Sequence, residues 1–139
     1  MHYEILEHPS ELRIKVYGST FEELFCNAAL AMADVLKKER QESRQKERIK
    51  IEAVDLNSLL VDFLSEILAR SQINMAVYTV ESVKFSEQAE QVDRPVSLEA
   101  KMRRCPVEYF DEDIKAVTYE DLDIRKRDNQ WQTIVVFDV

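Results

Sequence analysis

Apolar and polar residues alternate from Leu12 to Tyr17, with Leu12, Ile14 and Val16 set against Arg13, Lys15 and Tyr17. A period of two predicts a half-buried strand. Residues 2–7 predict a partner strand, and His8-Pro9-Ser10-Glu11 predicts the turn between them, because proline interrupts a ladder. After Gly18 the period changes. Ser19-Thr20-Phe21-Glu22 reads as a capping box, with Ser19 as N-cap and Glu22 three residues on. Phe21, Leu24, Phe25, Ala28, Met32, Val35 and Leu36 then fall on one stripe, predicting a helix from about Thr20 to Lys37. Residues 37–47 are charged throughout, either a helix extension or a loop. Arg48–Glu52 predicts a short strand. Asp55 is the N-cap of a second helix, about Leu56 to Ser71, with Leu59, Leu60, Phe63, Leu64, Ile67 and Leu68 facing the core. Strand-type runs follow at Met75–Phe85, Val96–Met102, Ile114–Arg125 and Gln130–Val139, separated by polar loops at 86–95 and 104–113. Two helices ahead of clustered strands predict an α+β protein: a single domain over 1–139, its two helices packed on one face of a largely antiparallel β-sheet.

Composition narrows the class. Of 139 residues, 45% are hydrophobic and 33% charged, and one glycine with three prolines leaves little material for flexible linkers. The net charge of −8 argues against free nucleic acid as the primary ligand, since phosphate binding rests on positive fields. No apolar run approaches a membrane span and the start lacks an apolar signal region, so a cytoplasmic protein is expected. Cys26 and Cys105 lie in no CxxC and have no histidines at zinc spacing, which reads as two free thiols, with a disulfide left open. No Ser-His-Asp or Cys-His constellation and no glycine-rich phosphate loop is present, so catalysis is not expected. Lys37–Lys50 holds seven basic and three acidic residues. It is either a solvated helix end or a docking strip for a partner. Arg103-Arg104 and Arg125-Lys126-Arg127 are smaller basic clusters. Glu108, Asp111, Glu112 and Asp113 read as a solubilising acidic connection.

The last nine residues, Trp131–Val139, read as a buried strand that carries Asp138 and the α-carboxylate of Val139 side by side. Asp128-Asn129 fits a two-residue hairpin loop. On that register Asp138 lies opposite Tyr119 and Val139 opposite Thr118, and Lys115 shares the face of Asp138, about 10 Å from Thr118 along the strand. A slip of one residue would reverse the face of Lys115. Two readings stand at this point: an anionic notch that takes a metal or the lysine, and a solvated strand end beside a surface lysine.

Several segments in order resemble the archease family. Tyr3-Glu4-Ile5-Leu6-Glu7-His8 and Tyr17-Gly18 resemble its opening. Phe21-Glu22-Glu23-Leu24-Phe25 with Asn27–Met32 resembles its first helix, and Asp55-Leu56 with Leu59–Leu64 its second. Lys115-Ala116-Val117-Thr118-Tyr119 and Val135-Val136-Phe137-Asp138-Val139 are the most specific. The resemblance implies a non-enzymatic cofactor protein that promotes guanylylation and turnover of the tRNA-splicing RNA ligase. It also implies a metal site built from a first-turn carboxylate, the penultimate aspartate and the terminal carboxylate, here Glu11, Asp138 and Val139, with Lys115 functionally implicated. Such oxygen donors favour Ca²⁺ or Mg²⁺, with Mn²⁺ as a third candidate. The implied partner is the ligase, with RNA approached only through it and no membrane; no oligomeric state is implied. His8 reads as either a further contributor or a turn histidine bonded to backbone. The chain departs from the family in its turn, His8-Pro9-Ser10-Glu11-Leu12-Arg13 in place of His-Thr-Ala-Asp, where glutamate moves the carboxylate by about 1.5 Å. It departs again at Glu120, where histidine is frequent. The competing readings are a metal-dependent phosphate-ester enzyme and a metal-free interaction module or chaperone.

Overall fold

The computed structural model describes residues 2–8, 10–43, 45–86 and 95–139, without the side chains of Glu7 and His8. The polar loop expected at 86–95, apart from its two ends, and the side chain of His8 lie outside the described residues.

The chain runs β1 (Tyr3–His8), β2 (Glu11–Gly18), α1 (Phe21–Lys37), β3 (Lys46–Ala53), α2 (Leu56–Asn74), β4 (Ala76–Phe85), β5 (Val96–Pro106), β6 (Ala116–Thr118), β7 (Arg125–Arg127) and β8 (Gln130–Asp138). The strands form two antiparallel sheets rather than the one expected. In the first, the order is β1-β2-β8-β6, with β7 also pairing with β8. The second is β3-β5-β4. Both bury their inner faces on the two helices, and one hydrophobic cluster joins all of them, from Ile14, Val135 and Phe137 through Phe25, Met32, Phe63 and Leu64 to Ile49, Leu98 and Met102. The sequence alternation shows only that each strand has one buried face, which fits either arrangement.

The helix starts obey local chemistry. Asp55 caps α2, its carboxylate accepting from the Ser58 amide at 2.7 Å. For α1 the cap is Thr20, one residue later than Ser19, because its hydroxyl accepts from the Glu23 amide at 3.1 Å. α2 runs three residues past Ser71 and ends at Met75, which is in the left-handed region at φ 48° with its amide bonded to the Ser71 carbonyl. Gly18 is needed for space. A Cβ there would sit 2.4 Å from the Leu24 amide nitrogen, so only glycine lets β2 pass this close to α1. Next to it, Phe21 and Trp131 stack at 4.4 Å between centroids and fix the start of α1 against β8.

Two other expectations change. β5 continues through Pro106, which pairs with Ala76 at the end of the ladder, where its missing N–H is tolerated. The run Ile114–Arg125 is not one strand. Ala116–Thr118 and Arg125–Arg127 both pair with β8, and the six residues between them leave the ladder opposite only three residues of β8. Ile124 enters the core from this detour and Leu122 packs against it. α2 holds the end of the detour, where Asn57 accepts from the Ile124 amide at 3.0 Å, and also the approach to β6, where Gln72 donates to the Ile114 carbonyl at 2.9 Å.

Candidate metal and partner site at the end of the first sheet

The Asp128-Asn129 hairpin forms as the sequence predicts. Both residues have positive φ, 51° and 62°, and Arg127 faces Gln130. Beyond it the three-residue excess of the detour shifts the register. Asp138 lies opposite Ala116 rather than Tyr119, and an odd shift exchanges the faces. Lys115 therefore does not share the face of Asp138. Continuing the ladder by one residue puts it level with Val139, and its amide donates to the Asp138 carbonyl at 2.7 Å. The expected long reach back towards Asp138 is replaced by adjacency to the last residue.

On its other side, β8 pairs with β2 along its full length, and Glu11 is the direct cross-strand partner of Asp138. Paired residues share a face, and their Cβ atoms are typically about 4.5–5.5 Å apart. The central position of β8 thus places the Glu11 and Asp138 carboxylates in one row, with Val139 one step beyond, half-buried and packed against the core. Strand pairing sets the row directly, because both strands keep their register through Leu12–Phe137 and Ile14–Val135 into the core.

One residue of this site was not singled out in the sequence. Arg13, two along from Glu11 on the same face, is held by three carboxylates. Its guanidinium lies 3.2 Å from Glu11 Oε2 and 3.8 Å from Glu120 Oε1, and it makes an ion pair with Asp121. Glu120 and Asp121 belong to the detour, so the same register change that moved Lys115 folds two further acids over this face. Asp121 turns the chain with φ 57°, and aspartate adopts that region more readily than most side chains. Tyr119 extends from the detour to Asp62 of α2 at 3.3 Å, and burial followed by that carboxylate raises its phenol above the ordinary value. The only sequence signal for Arg13 was its polar phase in the β2 alternation. Two of its three carboxylate partners, Glu120 and Asp121, lie more than a hundred residues away.

The group thus holds Glu11, Glu120 and Asp121 on a single guanidinium, with Asp138 paired to Glu11 in the adjoining row and Lys115 at the level of Val139. Among the described residues no three His, Cys, Asp or Glu side chains are gathered closely enough to hold a metal ion by themselves. Glu11 and Asp138 supply two donors from neighbouring strands, and a main-chain carboxylate at Val139 would be the third. These oxygen donors fit a hard divalent cation in kind. Arg13 already engages one of the Glu11 oxygens, Oε2.

A small α+β protein with two helices between two antiparallel sheets, and an acid-rich row at the end of its central strand, is a recognisable structural class. The sequence matches the Archease protein family (MTH1598/TM1083) over residues 3–139. It is 36% identical to "Protein archease" of Methanosarcina mazei over 139 residues, covering 99% of this chain and 95% of that one. It is 36% identical to "Protein archease" of Pyrococcus furiosus over 146 residues, covering 99% and 98%. The solution structure of Methanobacterium thermoautotrophicum protein 1598 superposes with a TM-score of 0.82 at 25% identity, covering 99% of this chain and 98% of that chain. A Thermotoga maritima crystal structure, described as an archease and possible chaperone, shares the fold with a TM-score of 0.70 at 17% identity, covering 96% and 94%. The chain belongs to the archease family. No helix among the described residues is long and apolar enough to cross a membrane.

Proposed function

We propose that this chain is a non-enzymatic, metal-binding activator of the tRNA-splicing RNA ligase, promoting its guanylylation and multiple turnover from a cytoplasmic location. The observation that carries this reading is the direct pairing of Glu11 with Asp138 in a family whose members resemble this chain across its whole length. Glu11, Asp138 and the Val139 carboxylate hold a divalent cation, Ca²⁺ or Mg²⁺ with Mn²⁺ as a third candidate, because neighbouring carboxylates repel one another until a cation is added. Glutamate in place of aspartate stands at the first residue of β2, directly opposite Asp138, so the two side chains start from the same row. Arg13 releases Glu11 when the ion binds and keeps Glu120 and Asp121. Lys115, level with Val139, offsets part of the negative charge or meets a phosphate of the partner's nucleotide.

The test is multiple-turnover RNA ligation by the cognate ligase, with and without this protein and each divalent ion. Asp138→Ala is expected to remove the stimulation, a loss of at least tenfold in turnover, while circular dichroism stays unchanged because Asp138 is exposed. Undiminished stimulation by a folded Asp138→Ala protein would overturn the site. Turnover of phosphate esters by the isolated protein would instead make it an enzyme.

A further inference from the structure

The outer face of the second sheet carries a charge pattern that the acidic net charge conceals. Lys46 of β3 stands directly opposite Arg103 of β5, and Arg48 directly opposite Lys101. In the next row Lys50 and Lys84 flank Glu99 from β3 and β4. Six cations from three strands, distant in sequence, thus share one face. Like charges directly opposite each other in a sheet are destabilising, and here they occur in two consecutive rows. The protein's own carboxylates relieve only part of this. Arg48 meets Glu99 at 3.6 Å and Arg103 pairs with Glu81. Among the described residues Lys46, Lys50, Lys84 and Lys101 make no ion pair.

The rest of the face identifies what it fits. Its remaining positions in these rows are Thr79 and Ser82. No aromatic or large aliphatic side chain stands there to anchor a protein partner or to stack an unpaired base. Cations recur about every 6–7 Å along β3 and about 5 Å across strands, a grid suited to repeated phosphates. A three-stranded sheet is too broad to enter a DNA major groove, which admits a helix or a two-stranded ribbon. The wide, shallow minor groove of A-form RNA presents phosphates and 2′-hydroxyls to such a surface, and short hydroxyl side chains among lysines suit both. At physiological salt the distant acidic groups are screened over about 8 Å, so the local field decides.

We infer that the outer face of β3-β5-β4 is a docking surface for the backbone of double-stranded RNA. This goes beyond the proposed ligase activation, which uses the opposite sheet, and it is read without the ligase. The measurement is fluorescence anisotropy of a labelled mixed-sequence RNA duplex titrated with the purified chain at several salt concentrations. Binding weaker than about 1 μM and stronger than about 100 μM is expected, with a log–log salt slope of about −3 to −4 if the four unpaired lysines each displace a counterion. Lys46→Glu/Lys101→Glu is expected to weaken binding at least tenfold and reduce the slope by about 2. The same double variant is expected to melt at a higher temperature than the parent, because each new carboxylate faces a cation that formerly faced a like charge. A structural role for the lysines would move melting the other way. The inference is overturned by absence of binding at low salt, by equal affinity for duplex DNA or single-stranded RNA, by equal affinity for polyglutamate (an acidic protein partner), or by binding unaffected in the variant. Self-association of the parent in sedimentation that the double variant abolishes would also overturn it, by showing a second copy on this face. Ligase stimulation in the absence of RNA-duplex binding would sink this inference and leave the activator reading standing.

Discussion

Two ionic nodes of opposite polarity sit at similar depth in the two sheets. In the first, the Arg13 guanidinium is shared by Glu11, Glu120 and Asp121; in the second, the Glu47 carboxylate is shared by Arg104 at 2.6 Å, Arg70 at 3.3 Å and the Tyr78 hydroxyl at 2.8 Å. Their central side chains are 21% and 18% exposed. The Glu47 node is balanced, because Arg70 also meets Glu66 at 3.3 Å, giving two guanidiniums to two carboxylates, and Asn74 supplies the phenol with a further hydrogen bond. The Arg13 node has three carboxylates to one guanidinium, with Asp138 in the adjoining row. A balanced node has no further demand for charge and serves the fold by joining α2, β3 and β5. An unbalanced one leaves negative charge uncompensated, which the proposed cation site requires and a brace does not.

The largest expected effect separates them on stability. Glu47→Gln is expected to lower unfolding free energy by about 2 kcal/mol near neutral pH, the scale of hydrogen bonds to a charged group. Burial opposes ionisation of Glu47, but the hydrogen bonds from Arg104 and Tyr78 and the charges of Arg104 and Arg70 outweigh it and hold its carboxyl below the ordinary value. A folded value below the unfolded one means that the stabilisation is present above the ordinary carboxylate range and is lost as pH falls through the folded value. The gap between parent and variant in urea unfolding is therefore expected to close in acid. A gap of constant size down to acid pH would show that packing, not charge, holds this node.

At the other node the expected effect is on binding. Arg13→Ala is expected to tighten binding of Ca²⁺ or Mn²⁺ about fivefold, equivalent to about 1 kcal/mol, because a competing positive charge leaves Glu11. Titration calorimetry reads it, and affinity that stays the same or falls would remove Arg13 from the site. Unfolding free energy is expected to move less than for Glu47→Gln, since removing the cation leaves a partly hydrated cluster of acids.

How far these nodes were legible in the sequence depended on distance along the chain. Asp55 as a cap, the alternation from Leu12 to Tyr17 and the Asp128-Asn129 hairpin are local, and each is decided by its own neighbours. The detour at 119–124 is not. Its six residues stand opposite only three of β8, with Ile124 in the core and its amide held by Asn57 of α2, and nothing in the run Ile114–Arg125 reveals this. That one detour moved Lys115 to the other face and brought Glu120 and Asp121 onto Arg13. The two-sheet arrangement was hidden for a similar reason, because one buried face per strand does not specify the number of sheets. The family resemblance singled out Glu11 and Asp138 together, and the register of β2 on β8 supplies the physical reason they stand side by side.

Smaller effects sharpen the contrast at the margins of the balanced node. Met75 follows the residues of α2 that carry Arg70 and Asn74, and it adopts φ 48° without the freedom of glycine. Asp121, Asp128 and Asn129 also have positive φ, but their short polar side chains tolerate it, whereas methionine does not. Met75→Gly is expected to stabilise the fold by up to about 1 kcal/mol in thermal unfolding, since the native conformation is relieved by more than the unfolded chain gains in freedom. A loss of stability would show that the Met75 side chain, 41% exposed, packs against α2 or β4 strongly enough to offset the strain.

The smallest expected effect lies in a third, simpler node. The Tyr3 hydroxyl donates to Asp34 at 2.7 Å, and Arg40 meets the same carboxylate at 3.0 Å, tying β1 to α1 and to the residues that follow it. The hydrogen bond to Asp34, then burial and the charge of Asp34, push the Tyr3 phenol up to about 12. A folded value above the ordinary one means that the contribution of Tyr3 is fully present below about pH 10 and is lost as pH rises through about 12. Tyr3→Phe is expected to destabilise the protein by about 0.5 kcal/mol near neutral pH, at the low end for one hydrogen bond because β1 is an edge strand of its sheet. Between about pH 10 and 12 the parent is expected to lose this advantage while the variant, lacking the phenol, does not share that part of the decline. Denaturant unfolding of both proteins across that interval measures the difference directly. Parallel curves would mean that Asp34 is held by Arg40 alone, and that the phenol adds no stabilisation beyond its packing.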